Sequence, residues 1–509
     1  MKIYYNPEDI RKADETAVEK LGLSSLFLME NAGRNAAEEI LQTFPKAVRF
    51  VIFAGPGNNG GDGFVAARRL LEANRHVVVI TSCEHDKYKN DALRNLERLK
   101  TSPFDCTIVC SQHMSDDDIK SAIESSDCSV DALLGTGSFG PPRGDIARLI
   151  SLCGKTGCSV AALDIPSGID PKNGAVYEPC VKADLTVTFL APKIGMGMYP
   201  ACGMCGRIAV ASIGADIRDV IDESRGISCF EGPDIKALVP PLPRDAHKGE
   251  RGGVLICGGS RCYRGAPVLA AMGALRSGAG LAVMAIPDFM TDAASAILPE
   301  AIFLPIETVN GEMSFESLTS SILPWVKRCG AAVFGPGSGR EETLKPILRW
   351  LWDNWNSPLL LDGDALRLFA EIQDELPRRE NVVITPHNGE AAAILGTTAD
   401  AIKKDRQAAV TALAQKAGIA LLKGMNTLVA QKNETRMILE GSPALSVPGS
   451  GDVLSGAISA FLAYGLSPFD AATSGALIHA AAGLAIEESV GTRGTFAREI
   501  ADALPYAFR

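Results

Sequence analysis

The ten residues Gly55 to Phe64 (GPGNNGGDGF), half of them glycine, follow directly on the apolar run Val48–Ala54. Glycines at a strand end let backbone N–H groups approach an anion, and a helix starting there adds a positive dipole end. The same stretch offers amide and carboxylate oxygens, so it could hold a phosphate, bind a cation or only turn the chain. Three further strand ends carry similar groups: Gly135-Thr-Gly-Ser-Phe-Gly140, Asp164-Ile-Pro-Ser167-Gly168 and Pro192-Lys193-Ile-Gly195. Asn59, Asp131 and Ser167 are oxygen donors with no imidazole or thiolate among them, a set suited to K⁺, Na⁺, Mg²⁺ or Ca²⁺ rather than zinc. Any one of these residues alone is more often a cap or turn former. Several such ends together point to a site. The loop misses G-x-G-x-x-G and lacks G-K-[ST], and the next strand runs VVVITSC with no closing acid. That argues against an ordinary dinucleotide fingerprint and against a Walker loop.

A second constellation lies far downstream. GSGDVLSG, Gly449–Gly456, sets glycine N–H groups and one carboxylate, Asp452, at a helix start. Phosphoryl transfer needs such an anion cradle together with a base for the attacking hydroxyl. KGMNT (Lys423, Gly424, Met425, Asn426, Thr427) closes another strand and suits the phosphates or ribose of a nucleotide. ITPHNGE brings His387 and Glu390, and GPGSG makes a glycine turn at Gly335–Gly339. His387 reads equally as a satisfied core histidine or as a ligand contact. His479, in an alanine-rich helix, reads as structural. Cys202-Gly-Met-Cys205 has neither a second pair nor a nearby histidine and reads as incidental.

What must position these groups is an alternation of short β-branched runs (RFVIFA, HVVVIT, CTIVC, SVDALLG, SVAALDIP, LTVTFLA, RIAVASIG) with helix-like segments. That pattern predicts a parallel sheet covered by helices on both faces. It pauses in a charged, Pro/Gly-rich stretch near residue 222 and resumes with GVLICGG, LAVMAIP, AAVFGPGSG, PLLLDGDAL, NVVITPHNGE, IALLKG and TLVAQ. The chain therefore reads as two α/β domains, 1–222 and 223–509. A length of 509 residues with 46% hydrophobic and 22% charged residues is that of a soluble protein too large for one core. The net charge of −10 argues against a nucleic-acid or anionic-membrane partner. Thirteen scattered cysteines fit a reduced compartment, and no apolar run reaches the ~18 residues of a membrane span. A cytoplasmic homo-oligomer is expected.

The motifs also carry a family resemblance. LMENAGRNAAEEI, GPGNNGGDGFVAARRL, VDALLGTGSFGPPRG, ALDIPSGID and TFLAPKIGM, spanning about residues 8–215, resemble the NAD(P)H-hydrate epimerase domain, a Rossmann-like three-layer sandwich. The resemblance implies that Asn58, Asn59, Gly60, Gly61, Asp62, Gly135, Thr136, Gly137, Ser138, Phe139, Gly140 and Asp164 line a pocket for the hydrated nicotinamide nucleotide. It also implies that Asn59, Asp131 and Ser167 hold K⁺. Epimerisation at C6 needs a proton donor and acceptor, a role expected of Asp164 and Lys193; the other reading makes Lys193 a phosphate clamp. HKGERGGVLICGGSRCYRGAPVLAAMGALRSGAGL, GPGSG, TPHNGE, KGMNT and VPGSGDVLSG, over about residues 230–505, resemble the ADP/ATP-dependent NAD(P)H-hydrate dehydratase, of ribokinase-like α/β/α fold. That resemblance implies hydrate contacts from Ala266, Gly337, His387 and Asp452, and nucleotide contacts from Lys423 to Thr427 and Gly451. Asp452 is expected to be catalytic, with Mg²⁺ accompanying ADP or ATP. Gly363 in LLLDGDALRL stands where the family pattern has alanine. The implied function is repair of NADHX and NADPHX. The alternatives are a ribokinase-class small-molecule kinase with a dinucleotide-binding regulatory domain, and a non-enzymatic dinucleotide sensor.

Overall fold

The computed structural model describes residues 1–508 apart from 154–156, 248, 310, 340 and 433. The chain forms two compact units: residues 3–227, and residues from 228 onwards with Met1 and Lys2. The division lies just past the residue 222 expected from composition, because Ile227–Phe230 is a strand whose partner in the second unit is Glu434–Ile438.

In the first unit the strands run in the order Thr107–Cys110, His76–Thr81, Arg49–Ala54, Cys128–Ala132, Ser159–Leu163, Leu185–Phe189, Arg207–Ala211. Every neighbouring pair is parallel. Period-two alternation divides Arg49–Ala54 between two cores: Phe50, Ile52 and Ala54 enter one and Val51 and Phe53 the other. Strand order reverses at the crevice between Arg49–Ala54 and Cys128–Ala132, where ligands bind in such sheets. GPGNNGGDGF and GTGSFG leave from this crevice.

The second unit orders its strands Ile227–Phe230, Glu434–Ile438, Leu428–Gln431, Gly418–Leu422, Val382–Ile384, Leu359–Leu361, Ala331–Phe334, Gly253–Cys257, Leu281–Pro287, Ile302–Ile306. All pairs are parallel except those that Leu428–Gln431 makes with its two neighbours. Order reverses between Gly253–Cys257 and Ala331–Phe334. Gly337, beyond the second of these strands, packs against Tyr263 and Ala266, beyond the first. The helix Pro468–Ser489 is long and apolar enough to cross a membrane, yet most of it is buried in this unit's core.

Two candidate active sites

In the first unit the helix Asn58–Glu72 begins inside the glycine loop, so Asn58 and Asn59 occupy its first turn. A pocket of about 450 Å³ opens there, and of the residues expected around it Asn58, Asn59, Asp62, Gly135 to Ser138, Asp164 and Lys193 line it. Gly60, Gly61, Phe139 and Gly140 do not. A Cβ on Gly60 would stand 1.9 Å from the Gly55 carbonyl oxygen, so that glycine serves the close approach of helix to strand end. Phe139 is exposed.

Asp164 and Lys193 are brought together. Lys193 is fully buried, and its Nζ donates to Asp164 Oδ1 at 2.5 Å, to Thr188 Oγ1 at 2.8 Å and to the Phe189 carbonyl at 3.3 Å. Asp164 Oδ2 accepts from the Thr136 backbone N–H at 2.8 Å and its hydroxyl at 2.5 Å. Burial pushes the Asp164 carboxyl up, but the Lys193 ammonium and the Thr136 hydrogen bonds outweigh it, leaving Asp164 below the usual range. Its φ of +63° is left-handed, a region that aspartate enters more readily than most residues. Asp62 faces the same pocket; burial and the charges of Asp164 and Asp14 push it well above the carboxylate range against the pull of Lys193. Asp14, from the helix Pro7–Leu21, was not foreseen and completes the acidic group. Its residue surface opens to the pocket while protein crowds the carboxyl. Burial, opposed by Lys193 and reinforced by Asp164 and Glu15, raises it to about 6.

Asn59, Asp131 and Ser167 are tied to one segment, Leu133–Leu134. Asn59 Nδ2 donates to the Leu134 carbonyl at 2.9 Å, the Leu134 N–H donates to Ser167 Oγ at 2.9 Å, and the Leu133 N–H donates to Asp131 Oδ1 at 3.1 Å. Ser167 in turn donates its hydroxyl and its N–H to the two Asp131 oxygens at 2.7 and 2.8 Å. Burial lifts Asp131 to about 6, restrained by these Ser167 and Leu133 bonds, and among the described residues no cationic side chain offsets it. The Asn59 Oδ1 atom is buried without a hydrogen-bond partner. A buried oxygen acceptor with no donor suits an alkali cation.

The second site lies around the start of the helix Ser450–Tyr464. Asp452 is in its first turn; burial and the charge of Asp362 push it up to about 8, while Lys423 pulls the other way. Lys423 Nζ donates to Asp362 Oδ1 at 2.8 Å, and lies 4.0 Å from Glu390. Asp362 also accepts from Thr385 Oγ1 at 2.7 Å and from Ser455 Oγ, on the Asp452 helix, at 2.5 Å. A Cβ on Gly451 would lie 3.4 Å from the Lys423 ammonium, which therefore sits behind the glycine cradle. Asp362 anchors this network and was not assigned a role from sequence. His387 is no core residue: its side chain is 57% exposed and caps the helix Asn388–Leu395, Nδ1 accepting from the Gly389 and Glu390 N–H groups. Ala266 begins the helix Ala266–Arg276 and touches Gly337.

In the KGMNT loop, Gly424 lies against the Arg406 guanidinium. Met425 is exposed, and Thr427 donates its hydroxyl to the Gly424 carbonyl at 3.0 Å. Asn426 is buried and donates from Nδ2 to the Leu439 carbonyl at 3.3 Å. Gly363 takes φ +56°, a conformation that alanine would adopt only under strain. His479 is buried, its Nε2 3.1 Å from both the hydroxyl and the carbonyl oxygen of Ser450; burial drops it to about 4, so it is a neutral structural partner of the cradle.

Two family models match the chain: YjeF-related protein N-terminus over residues 25–195, and NAD(P)H-hydrate dehydratase over residues 254–506. A bifunctional NAD(P)H-hydrate repair enzyme of Thermanaerovibrio acidaminovorans is 36% identical, the match covering 98% of this chain and 97% of that one. The Escherichia coli protein of the same name is 35% identical over 98% of this chain and 92% of its own. Among solved structures, a ribokinase-like superfamily protein of Enterococcus faecalis is 25% identical with a TM-score of 0.50, covering 55% of this chain and 95% of its own.

Proposed function

As the chain belongs to the family of bifunctional NAD(P)H-hydrate repair enzymes, we propose that its first unit interconverts the C6 epimers of hydrated NADH and NADPH. On the same reading, the second unit dehydrates the S epimer with ADP or ATP. The observation that carries this division is the pairing, in one chain, of a buried Asp–Lys proton site with a separate glycine cradle that holds a high-pKa carboxylate.

In the first unit the C6–O bond breaks as the departing oxygen takes a proton; the same water then adds to the other face and gives one back. Asp164 and Lys193 are the groups that pass it, with Thr136 holding Asp164 in place. Lys193, fully buried and occupied by three oxygens, fits this role better than that of a phosphate clamp. Asn59, Asp131 and Ser167 would hold K⁺, which supplies a fixed positive field at the crevice.

In the second unit Asp452 takes the proton of the C6 hydroxyl while that oxygen attacks the terminal phosphorus of the nucleotide. The ring nitrogen's lone pair then expels phosphate as the C6–O bond breaks, and loss of a proton from C5 forms the C5=C6 double bond of the reduced nicotinamide. Gly451 and its neighbours point N–H groups at the transferred phosphoryl group, with the Lys423 charge behind them. Gly424, Met425 and Thr427 form the nucleotide wall, and Asn426 shapes that loop from within. Ala266, Gly337 and His387 border the hydrate. Mg²⁺ would neutralise the nucleotide's phosphate charge. Nothing in the family matches favours the small-molecule kinase or the passive sensor.

The test incubates chemically hydrated NADPH with the protein, ADP or ATP, and Mg²⁺, following the absorbance of reduced nicotinamide. Recovery from both epimers is expected, and Asp164→Asn should limit it to the S fraction. No recovery with either nucleotide would overturn the proposal.

A further inference from the structure

Outside both sites, the ends of two neighbouring strands gather a thiol, an imidazole and a carboxylate. Thr81 and Cys110 are register partners on His76–Thr81 and Thr107–Cys110, and Glu84 and His113 stand three residues beyond them. The single turn Ser111–His113 folds the chain back, and the helix Asp116–Glu124 that follows is pinned by a capping box between Ser115 and Asp118. As a result the Cys110 sulfur, a His113 ring nitrogen and a Glu84 carboxylate oxygen all lie within 4.8 Å of one another. His113 Nε2 is 2.7 Å from Glu84 Oε1.

We propose that Glu84, Cys110 and His113 form a binding site for a divalent transition-metal ion of the zinc class. A surface ion pair would account for Glu84 and His113, whose side chains are 45% and 66% exposed. It would not account for a third ligand atom within the same radius, on a cysteine that is 5% exposed. Thiolate, carboxylate and neutral imidazole balance a doubly charged cation. Their mixed softness selects Zn²⁺ or Co²⁺ over the Mg²⁺, Ca²⁺ or K⁺ that oxygen-only sites take. Ligand atoms around one tetrahedral ion are roughly 3–4 Å apart, so the group closes on a metal through side-chain adjustment alone. Three protein ligands leave a fourth position for water. Because the ligands come from both sides of one strand pair, the metal clips the sheet's four-residue edge strand to its neighbour. Its effect is therefore on stability rather than turnover.

The probe is Co²⁺ added to the reduced, chelator-stripped full chain. One equivalent should bind with a near-ultraviolet thiolate-to-cobalt band and the visible bands of a tetrahedral ion. Cys110→Ser should abolish the near-ultraviolet band, and His113→Ala should weaken binding by about tenfold or more. Cys262→Ser, which alters an exposed cysteine, should leave both unchanged. Zn²⁺ should raise the unfolding midpoint of the wild type but not of His113→Ala. Absence of the band in the wild type, or its survival in Cys110→Ser, overturns the site. His113 is exposed, so its variant is expected to fold.

Discussion

At the scale of single residues, the two carboxylates proposed to carry the chemistry are shifted in opposite directions. Asp164 is held low by Lys193 and Thr136, and Asp452 is raised to about 8. Asp164→Asn keeps the shape but leaves Lys193 buried without its counter-charge, and should cut epimerisation about 10²–10⁴-fold while dehydration of the S epimer continues. For the dehydratase, kcat/KM should rise with pH through about 8 as free Asp452 loses its proton. Asp362→Asn removes the negative charge that helps raise Asp452 and releases the Lys423 charge toward it, so both changes move that limb to lower pH. A profile lowered in height but unmoved along the pH axis would reduce Asp362 to a packing role. The same carboxylate has a stability consequence. A folded pKa above the unfolded value makes the fold less stable as pH climbs from about 4 to about 8. Asp452→Asn should therefore abolish dehydration, retain nucleotide binding, and raise the melting temperature near pH 8 but not near pH 4. These residues differ in how visible they are in the sequence. Asp452 sits in a glycine motif whose spacing suggests an anion cradle, and Asp62 is expected at its pocket through the family resemblance. Asp14 and Asp362 reach their sites from distant segments, and only folding reveals what they face.

At the scale of elements, the strands that feed the two crevices were legible because each is a compact β-branched run buried on both faces. Of the strands that were not, three have a clear cause. Ile302–Ile306 contains Pro305 and forms a sheet edge, the position where a missing N–H is tolerated. Glu434–Ile438 mixes charge into the pattern, and Ile227–Phe230 is a four-residue strand beside the charged connecting stretch. The turn GPGNNGGDGF shows the limit of reading by motif. Asn58, Asn59 and Asp62 face the pocket, whereas Gly60 is needed where helix meets strand end. Gly60→Ala must displace backbone rather than a flexible side chain, so it should destabilise the first unit by about 1–3 kcal/mol. Epimerase activity should fall and dehydratase activity remain, as read by the two assays on one preparation.

At the scale of the whole molecule, the chain holds two compact units with cores of their own. Thermal unfolding should show two transitions, and ADP with Mg²⁺ at about 100 times its Kd should stabilise only one, by about 2.7 kcal/mol. A single transition that moves as a block would show that the units unfold together. The apolar helix Pro468–Ser489 sets how such unfolding ends. Packed, it is an ordinary core element; uncovered, it would present a long apolar surface on which copies of the chain associate. Loosening the second unit therefore turns a reversible opening into aggregation, and core variants there should vanish from the soluble fraction before a change in turnover per remaining molecule can be measured.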